Sequence, residues 1–266
     1  MNFFAEIRHF FRTRSTGDPP GASNPIYKAL VIAHERFMAH DTDGAENLAR
    51  QALKDADADS SRHSVEYALG LLNYVWVANE THQKGIAFFS EFLESHPDDA
   101  TALHCRGIHL WYSGHPEEAI GDYNRSLDLV LDNTFARMGR GQILVELGRP
   151  QEAIRDLESV LQSINALPNA RDKNLAETQA YTRNGLGAAL AASGNFRGAF
   201  EEFARSIDLQ PKNAWVYFNR ALAYEKNQDC LSALADYQKA LVSDAPKLPA
   251  YKREIADARV KELSTH

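Results

Sequence analysis

A single pattern recurs along this chain every 34 residues over its last two copies, and a chain built that way stacks like units rather than enclosing one core. The copy starting at Ala214 reads as two short amphipathic helices joined by a polar turn. Small residues, Ala221 and Ala233, stand where the two helices cross, since large ones would push the helices apart. Tyr217, Ala221, Tyr224, Ala233, Tyr237 and Ala240 form its framework. One period earlier, Gly187, Leu190, Gly194, Ala199, Phe203 and Pro211 fall in equivalent places. Further copies begin near Thr134 (Gly141, Leu144, Gly148, Ala153, Leu157), Ala100 (Gly107, Leu110, Gly114, Ala119, Tyr123), Glu66 (Leu69, Leu72, Trp76, Phe89, Pro97) and Ile26 (Ala33, Ala45, Ala49, Ala52). The first two copies depart from the pattern: Asn73 and Phe92 replace small residues, and Arg36 replaces an aromatic or aliphatic one.

These residues and this period resemble the tetratricopeptide repeat. The resemblance implies an all-α, right-handed superhelical solenoid of about six helix pairs with a C-terminal capping helix. The repeats run near 26–59, 66–99, 100–133, 134–167, 180–213 and 214–247, followed by a cap and tail over 248–266. A solenoid needs no central core, so the 266 residues can form one continuous unit.

Turns at Gly114-His115-Pro116 and Gly148-Arg149-Pro150 place glycine where a helix end needs a left-handed residue and proline where the next helix starts. Extra residues at 60–65 separate the first two copies. About a dozen more (168–179) precede the fifth, where part of the excess extends the next helix by one or two turns, dividing the array into a block of four and a block of two. In the first copy, Asp41, Asp43, Glu46, Asp55, Asp57 and Asp59 read as a solvated face. The aromatics Trp76, Phe88, Phe89 and Phe92 read as filling between copies. In the cap, Tyr251, Ile255, Ala258 and Val260 are expected to cover the last copy, leaving Lys252, Arg253, Lys261 and Glu262 in water.

Residues 1–25 stand outside the repeats. Phe3, Ile7, Phe10 and Phe11 recur at helical spacing beside Arg8, Arg12 and Arg14, the pattern of a short amphipathic helix, and residues 16–25 form a linker. This segment can cap the array, touch a membrane surface, or occupy a groove. It is too short and too charged to span a bilayer.

The net charge of −7, with no concentrated basic stripe, speaks against a nucleic-acid partner. Cys105 and Cys230 lie three repeats apart, beyond disulfide reach, which suits reduced thiols in the cytoplasm. No phosphate loop, nucleophile elbow or His-Glu-x-x-His pair occurs, so no enzyme activity, cofactor or metal is expected. His104, Cys105 and His109 come nearest to a metal cluster, and two ligands on one helix face seldom hold zinc.

The resemblance further implies that the inner wall of the superhelix comes from the second, fifth, ninth and twelfth places of each repeat. Among the residues at those places, the candidates for holding a peptide are Tyr27, His34, Tyr67, Tyr74, His104, Trp111, Phe135, Gln142, Tyr181, Asn184, Trp215 and Phe218. Aromatic walls offer large contact area at small entropic cost. Family members that grip a terminal carboxylate use Lys, Arg and Asn there, and here only Asn184 and Asn219 are available. The expected function is therefore a non-catalytic interaction module that binds an apolar or aromatic partner segment. Its alternative is a membrane-peripheral or assembly scaffold docked through the Phe-rich N-terminus. On the first reading, Trp215→Ala and Tyr181→Ala weaken binding and leave stability nearly unchanged.

Overall fold

The computed structural model describes residues 24–58, 62–166, 173–243, 248 and 250–265. The N-terminal amphipathic segment, and with it the capping, membrane and groove readings, lies outside the described residues, as do Asp59 and residues 168–172 of the insertion before the fifth repeat. Among the described residues there are thirteen α-helices and no strand.

The helices are α1 (Pro25–Met38), α2 (Thr42–Ala58), α3 (Arg62–Ala78), α4 (His82–Ser95), α5 (Ala100–Tyr112), α6 (Pro116–Leu129) and α7 (Thr134–Glu146). They continue as α8 (Pro150–Asn165), α9 (Lys173–Ala192), α10 (Phe196–Leu209), α11 (Ala214–Lys226), α12 (Cys230–Val242) and α13 (Ala250–Leu263). Two compact units are present, one ending at Gly139 and one starting at Arg140. The division falls inside α7, the first helix of the fourth repeat, and not between the fourth and fifth repeats. Repeats that pack mainly on their neighbours leave no seam that the sequence marks.

In the first unit α1 pairs with α2, α3 with α4 and α5 with α6. The second helix α2 packs on α3 and α4 packs on α5, and α1, α3 and α5 lie side by side. In the second unit α8 packs on α9, α9 pairs with α10 and α11 with α12, α9 lies beside α11, and α13 packs on α12. The insertions lengthen first helices: α3 has 17 residues and α9 has 20, against 13 in α5, α7 and α11. Residues 62–65, read as part of a spacer, are the opening of α3.

Within a pair, glycine receives the large side chain of the second helix. A Cβ at Gly187 would lie 2.8 Å from the Phe203 ring, one at Gly107 2.9 Å from Tyr123, and one at Gly141 2.8 Å from Leu157. Ala221 and Ala233 are fully buried where their helices meet.

Two polar devices, not singled out above, recur with the repeat. Bidentate pairs join first helix to second at Arg106–Asp122 (2.7 Å to each oxygen), Arg140–Asp156 (2.7 and 2.8 Å) and Arg220–Asp236 (2.6 and 2.8 Å), with Arg183–Glu202 as the fifth repeat's version (2.7 Å). Ser126 and Ser206 each donate a 2.7 Å hydrogen bond to the carbonyl 26 residues back, at Ala100 and Ala180. The first helices α5, α7 and α11 start on side-chain caps, Asp99, Asn133 and Asn213 accepting from the amides of Ala102, Ala136 and Trp215.

Trp76 and Phe89 are fully buried, with Phe88 and Phe92 against them, so these aromatics fill space as read from the sequence. In the acidic face of α2, Asp43, Asp55 and Asp57 are exposed, while Glu46 is half-buried and pairs with Arg50 at 3.0 Å and Lys84 at 3.8 Å.

The cap differs from its sequence reading. Among the described side chains of α13 only Ala256 is buried, with Leu248 buried just ahead of the helix; Val260 is half-buried, Ala258 is exposed, Tyr251 and Ile255 are 49% and 43% exposed, and Lys252 turns inward. The surface it meets supplies aromatic rings and carboxylates, which accept a cationic face of the helix in place of an aliphatic one.

Candidate functional site

First helices carry the candidate residues, because their small residues sit at the pair crossing and leave the opposite stripe to larger side chains. In the first unit these side chains meet across neighbouring first helices. Tyr27 of α1 lies 6.4 Å from Tyr67 of α3, ring centre to ring centre. Phe37 of α1 meets Tyr74 of α3 edge-on at 4.7 Å. The ring of His104 on α5 lies 6.4 Å from Phe135 of α7 and 5.7 Å from Tyr123.

Tyr67, Tyr74 and His104 are buried, while Tyr27, His34, Trp111 and Phe135 are half-buried. Burial raises the Tyr67 hydroxyl far above the ordinary phenol value and lowers His104 to about 4, so both stay neutral near pH 7. The wall is therefore uncharged, formed of rings with polar edges.

Beside this wall, His82 and His109 approach with Nδ1 to Nδ1 3.2 Å apart, and His82 stacks on Tyr112 at 4.9 Å. One ring of the pair donates and the other accepts, so the two rings cannot both be protonated in this geometry. Burial, and then the neighbouring His82, lower His109 to about 3. The glycine beneath is required, since a Cβ at Gly85 would lie 2.3 Å from the His109 ring. His109 thus turns to His82, and Cys105 is buried. Among the described residues no group of three or more His, Cys, Asp or Glu side chains is placed to hold a metal ion.

In the second unit Gln142 is half-buried, whereas Tyr181, Asn184, Trp215 and Phe218 are buried. Asn219 donates to Asn184 at 3.1 Å, so these two amides bridge α11 and α9. Tyr181 and Trp215 are packed inside the chain, and truncating either to alanine opens a cavity costing about 3–5 kcal/mol. This replaces the expectation that they act on binding alone.

Lys252 of α13 covers Trp215 and Phe218, its Nζ 4.7 Å and 5.2 Å from the two ring centres. Sequence reasoning missed this residue, because the helical period of α13 points to its aliphatic side. The Arg–Asp pairs were legible in principle, since Arg106, Arg140 and Arg220 each precede their aspartate by 16 residues.

The fold and this wall define a class: an all-α helix-pair solenoid with an uncharged, ring-lined first-helix face. Comparison with known proteins gives that class its family. The family model described as tetratricopeptide repeat matches residues 106–173, and a second, described as TPR repeat, matches residues 178–228. The chain is 24% identical over 238 residues to human tetratricopeptide repeat protein 13, covering 88% of this chain and 25% of that protein. It is 32% identical over 136 residues to the peroxisomal targeting signal receptor of Candida albicans, covering 48% of this chain and 21% of that receptor. The chain thus spans a quarter or less of the length of these relatives.

Among solved structures, the Cut9–Hcn1 hetero-tetramer of the APC/C superposes with a TM-score of 0.69 at 13% identity, over 97% of this chain and 46% of that one. A tetratricopeptide repeat protein of Parabacteroides merdae superposes with a TM-score of 0.57 at 18% identity, over 90% and 92%. These likenesses show the fold. The chain is a tetratricopeptide-repeat protein.

Proposed function

We propose that the first-helix face of the first unit holds an apolar or aromatic segment of a partner protein and that the chain acts without catalysis. Tetratricopeptide repeats mediate protein–protein interaction, and proteins built from them are typically non-catalytic scaffolds. The observation that carries the finer reading is the ring-beside-ring wall: Tyr27 with Tyr67, Phe37 with Tyr74, and His104 with Phe135, with burial holding Tyr67 and His104 neutral near pH 7. Tyr67, Tyr74 and His104 back this wall, and its half-buried members Tyr27, Phe37, Trp111 and Phe135 offer flat, polarisable area with few fixed charges, which favours rings and aliphatic side chains over acidic tails. The Candida albicans relative, a receptor for a targeting signal, is in keeping with recognition of a segment of another protein.

Selection from a random-peptide display library tests this. The peptides that bind are expected to be enriched in aromatic and aliphatic residues. Trp111→Ala combined with Phe135→Ala is expected to weaken them at least tenfold, while Leu131→Ala, at an exposed turn position, leaves them unchanged. Enrichment of acidic C-terminal sequences, or equal binding by all three proteins, would overturn the reading.

A further inference from the structure

A terminal helix usually closes a repeat array by laying an aliphatic stripe on the last pair. α13 is fastened differently. Of its apolar side chains, Tyr251 and Ile255 are substantially exposed, Val260 and Leu263 are half-buried, and the buried Ala256 contributes little area. What it inserts is Lys252, whose side chain is 12% exposed. Nζ lies 4.7 Å from the centre of Trp215, 5.2 Å from Phe218 and 5.7 Å from Tyr251, with a Glu146 carboxylate oxygen at 4.0 Å.

Three rings and one carboxylate around a primary ammonium form an aromatic cage, the arrangement in which ring quadrupoles replace part of the lost hydration. Four methylene groups of the stem lie in the same apolar surroundings. Desolvation still lowers the Lys252 pKa, with Glu146 acting in the other direction, so the seat is a compromise and not a sealed core. The second fastening is also cationic: Arg259 pairs with Glu225, which accepts a 2.6 Å hydrogen bond from the Tyr237 hydroxyl. Two cations in two receptacles hold the helix where an aliphatic seam would otherwise do so. Such contacts can be exchanged for equivalent ones from another chain.

We infer that Trp215, Phe218 and Glu146 form a lysine-binding subsite that Lys252 occupies in cis, making α13 a displaceable lid whose replacement is a lysine-bearing segment of a partner protein. The inference deepens the proposal that the chain recognises protein segments, and it concerns the second unit alone. The partner's segment presents one lysine to the cage and, about two helical turns further on, a basic group to Glu225.

The test uses the full chain and, as probe, a fluorescent peptide with the sequence of residues 248–265. Two substitutions separate an emptied subsite from a destroyed one. Lys252→Ala removes the inserted group and leaves the subsite intact, whereas Glu146→Lys sets an ammonium in the subsite itself; circular dichroism confirms that each variant is folded. Lys252→Ala is expected to bind the peptide at least tenfold more tightly than the unmodified chain in fluorescence anisotropy, and Glu146→Lys is expected to show no such gain. A peptide with methionine in place of lysine at the position of Lys252 is expected to bind at least tenfold more weakly than the lysine peptide. In the unmodified chain, backbone amides of α13 are expected to exchange with deuterium at least tenfold faster than those of α12.

Equal peptide binding by Lys252→Ala and the unmodified chain, a gain of binding by Glu146→Lys, equal binding of the methionine peptide, or α13 protection matching α12 would each overturn the lid. Because Trp111 and Phe135 are intact throughout, failure here leaves the ring-lined wall of the first unit to be judged by its own test.

Discussion

The six turns between first and second helices share one backbone geometry with unequal side chains, and this makes a quantitative prediction. The second residue after each first helix is left-handed: His40 (φ 65°), Glu80 (55°), Gly114 (81°), Gly148 (68°), Gly194 (89°) and Gln228 (63°). The hydrogen bonds repeat as well. At the third repeat the Gly114 amide donates to Trp111 and the His115 amide to Leu110. At the second the Glu80 amide donates to Val77 and the Thr81 amide to Trp76; at the sixth the Gln228 amide donates to Glu225 and the Asp229 amide to Tyr224.

Three of the six positions thus hold an L-side chain where three others hold glycine. The left-handed region costs such a residue about 1–2 kcal/mol, and glycine gives back about 0.5–1 kcal/mol through its freer unfolded state. Each of His40→Gly, Glu80→Gly and Gln228→Gly should therefore stabilise by about 0.5–1 kcal/mol. The three side chains are exposed, so little else is lost. The sites share no partners, so the triple variant should gain about 2 kcal/mol, or roughly 5 °C in Tm for a chain of this size. Urea unfolding followed by circular dichroism measures it. The reciprocal change, Gly148→Ala, should cost about 1 kcal/mol, and since a Cβ there meets nothing within 4 Å, that cost is backbone strain alone. A triple variant no more stable than the parent, or a neutral Gly148→Ala, would refute the reasoning.

Acidification should weaken the first unit. His104 and His109 have folded pKa values of about 4 and about 3, below the unfolded 6.5, so the unfolded chain takes up protons first and stability falls as pH drops below 6.5. At pH 5 each neutral ring forfeits about 2 kcal/mol relative to pH 7.5, at about 1.36 kcal/mol per pH unit. Hydrogen exchange in α5 should accelerate accordingly, and His109→Asn should remove about half of the dependence; a flat profile from pH 7.5 to 5 would contradict this. At Asn73, fully buried in α3, the side-chain amide makes no hydrogen bond to a described residue. Asn73→Ala restores the small residue found there in other repeats and should stabilise by about 1 kcal/mol. A loss of stability in urea unfolding would show instead that the amide is satisfied by solvent.

The sequence by itself determined the helix pairs, their order and their crossings. Gly187 facing Phe203 and Gly107 facing Tyr123 are local necessities, since a Cβ at either would intrude on a ring, and a fixed period copies such necessities along the chain. The glycine turns at 114, 148 and 194 were legible for the same reason, whereas the matching strain at His40, Glu80 and Gln228 was not, because those residues carry no conformational signature. Tertiary structure alone decided which candidate wall residues remain partly open. A helical period states the direction in which a side chain points from its own axis, and burial depends on what arrives from outside it. Trp111 and Phe135 remain half-buried, whereas Trp215 and Phe218 lie beneath Lys252 of α13. The orientation of that last helix was equally beyond the sequence. An aromatic surface accepts either an aliphatic or a cationic face, and the carboxylates of Glu146 and Glu225, distant in sequence from α13 and near it in space, select the cations.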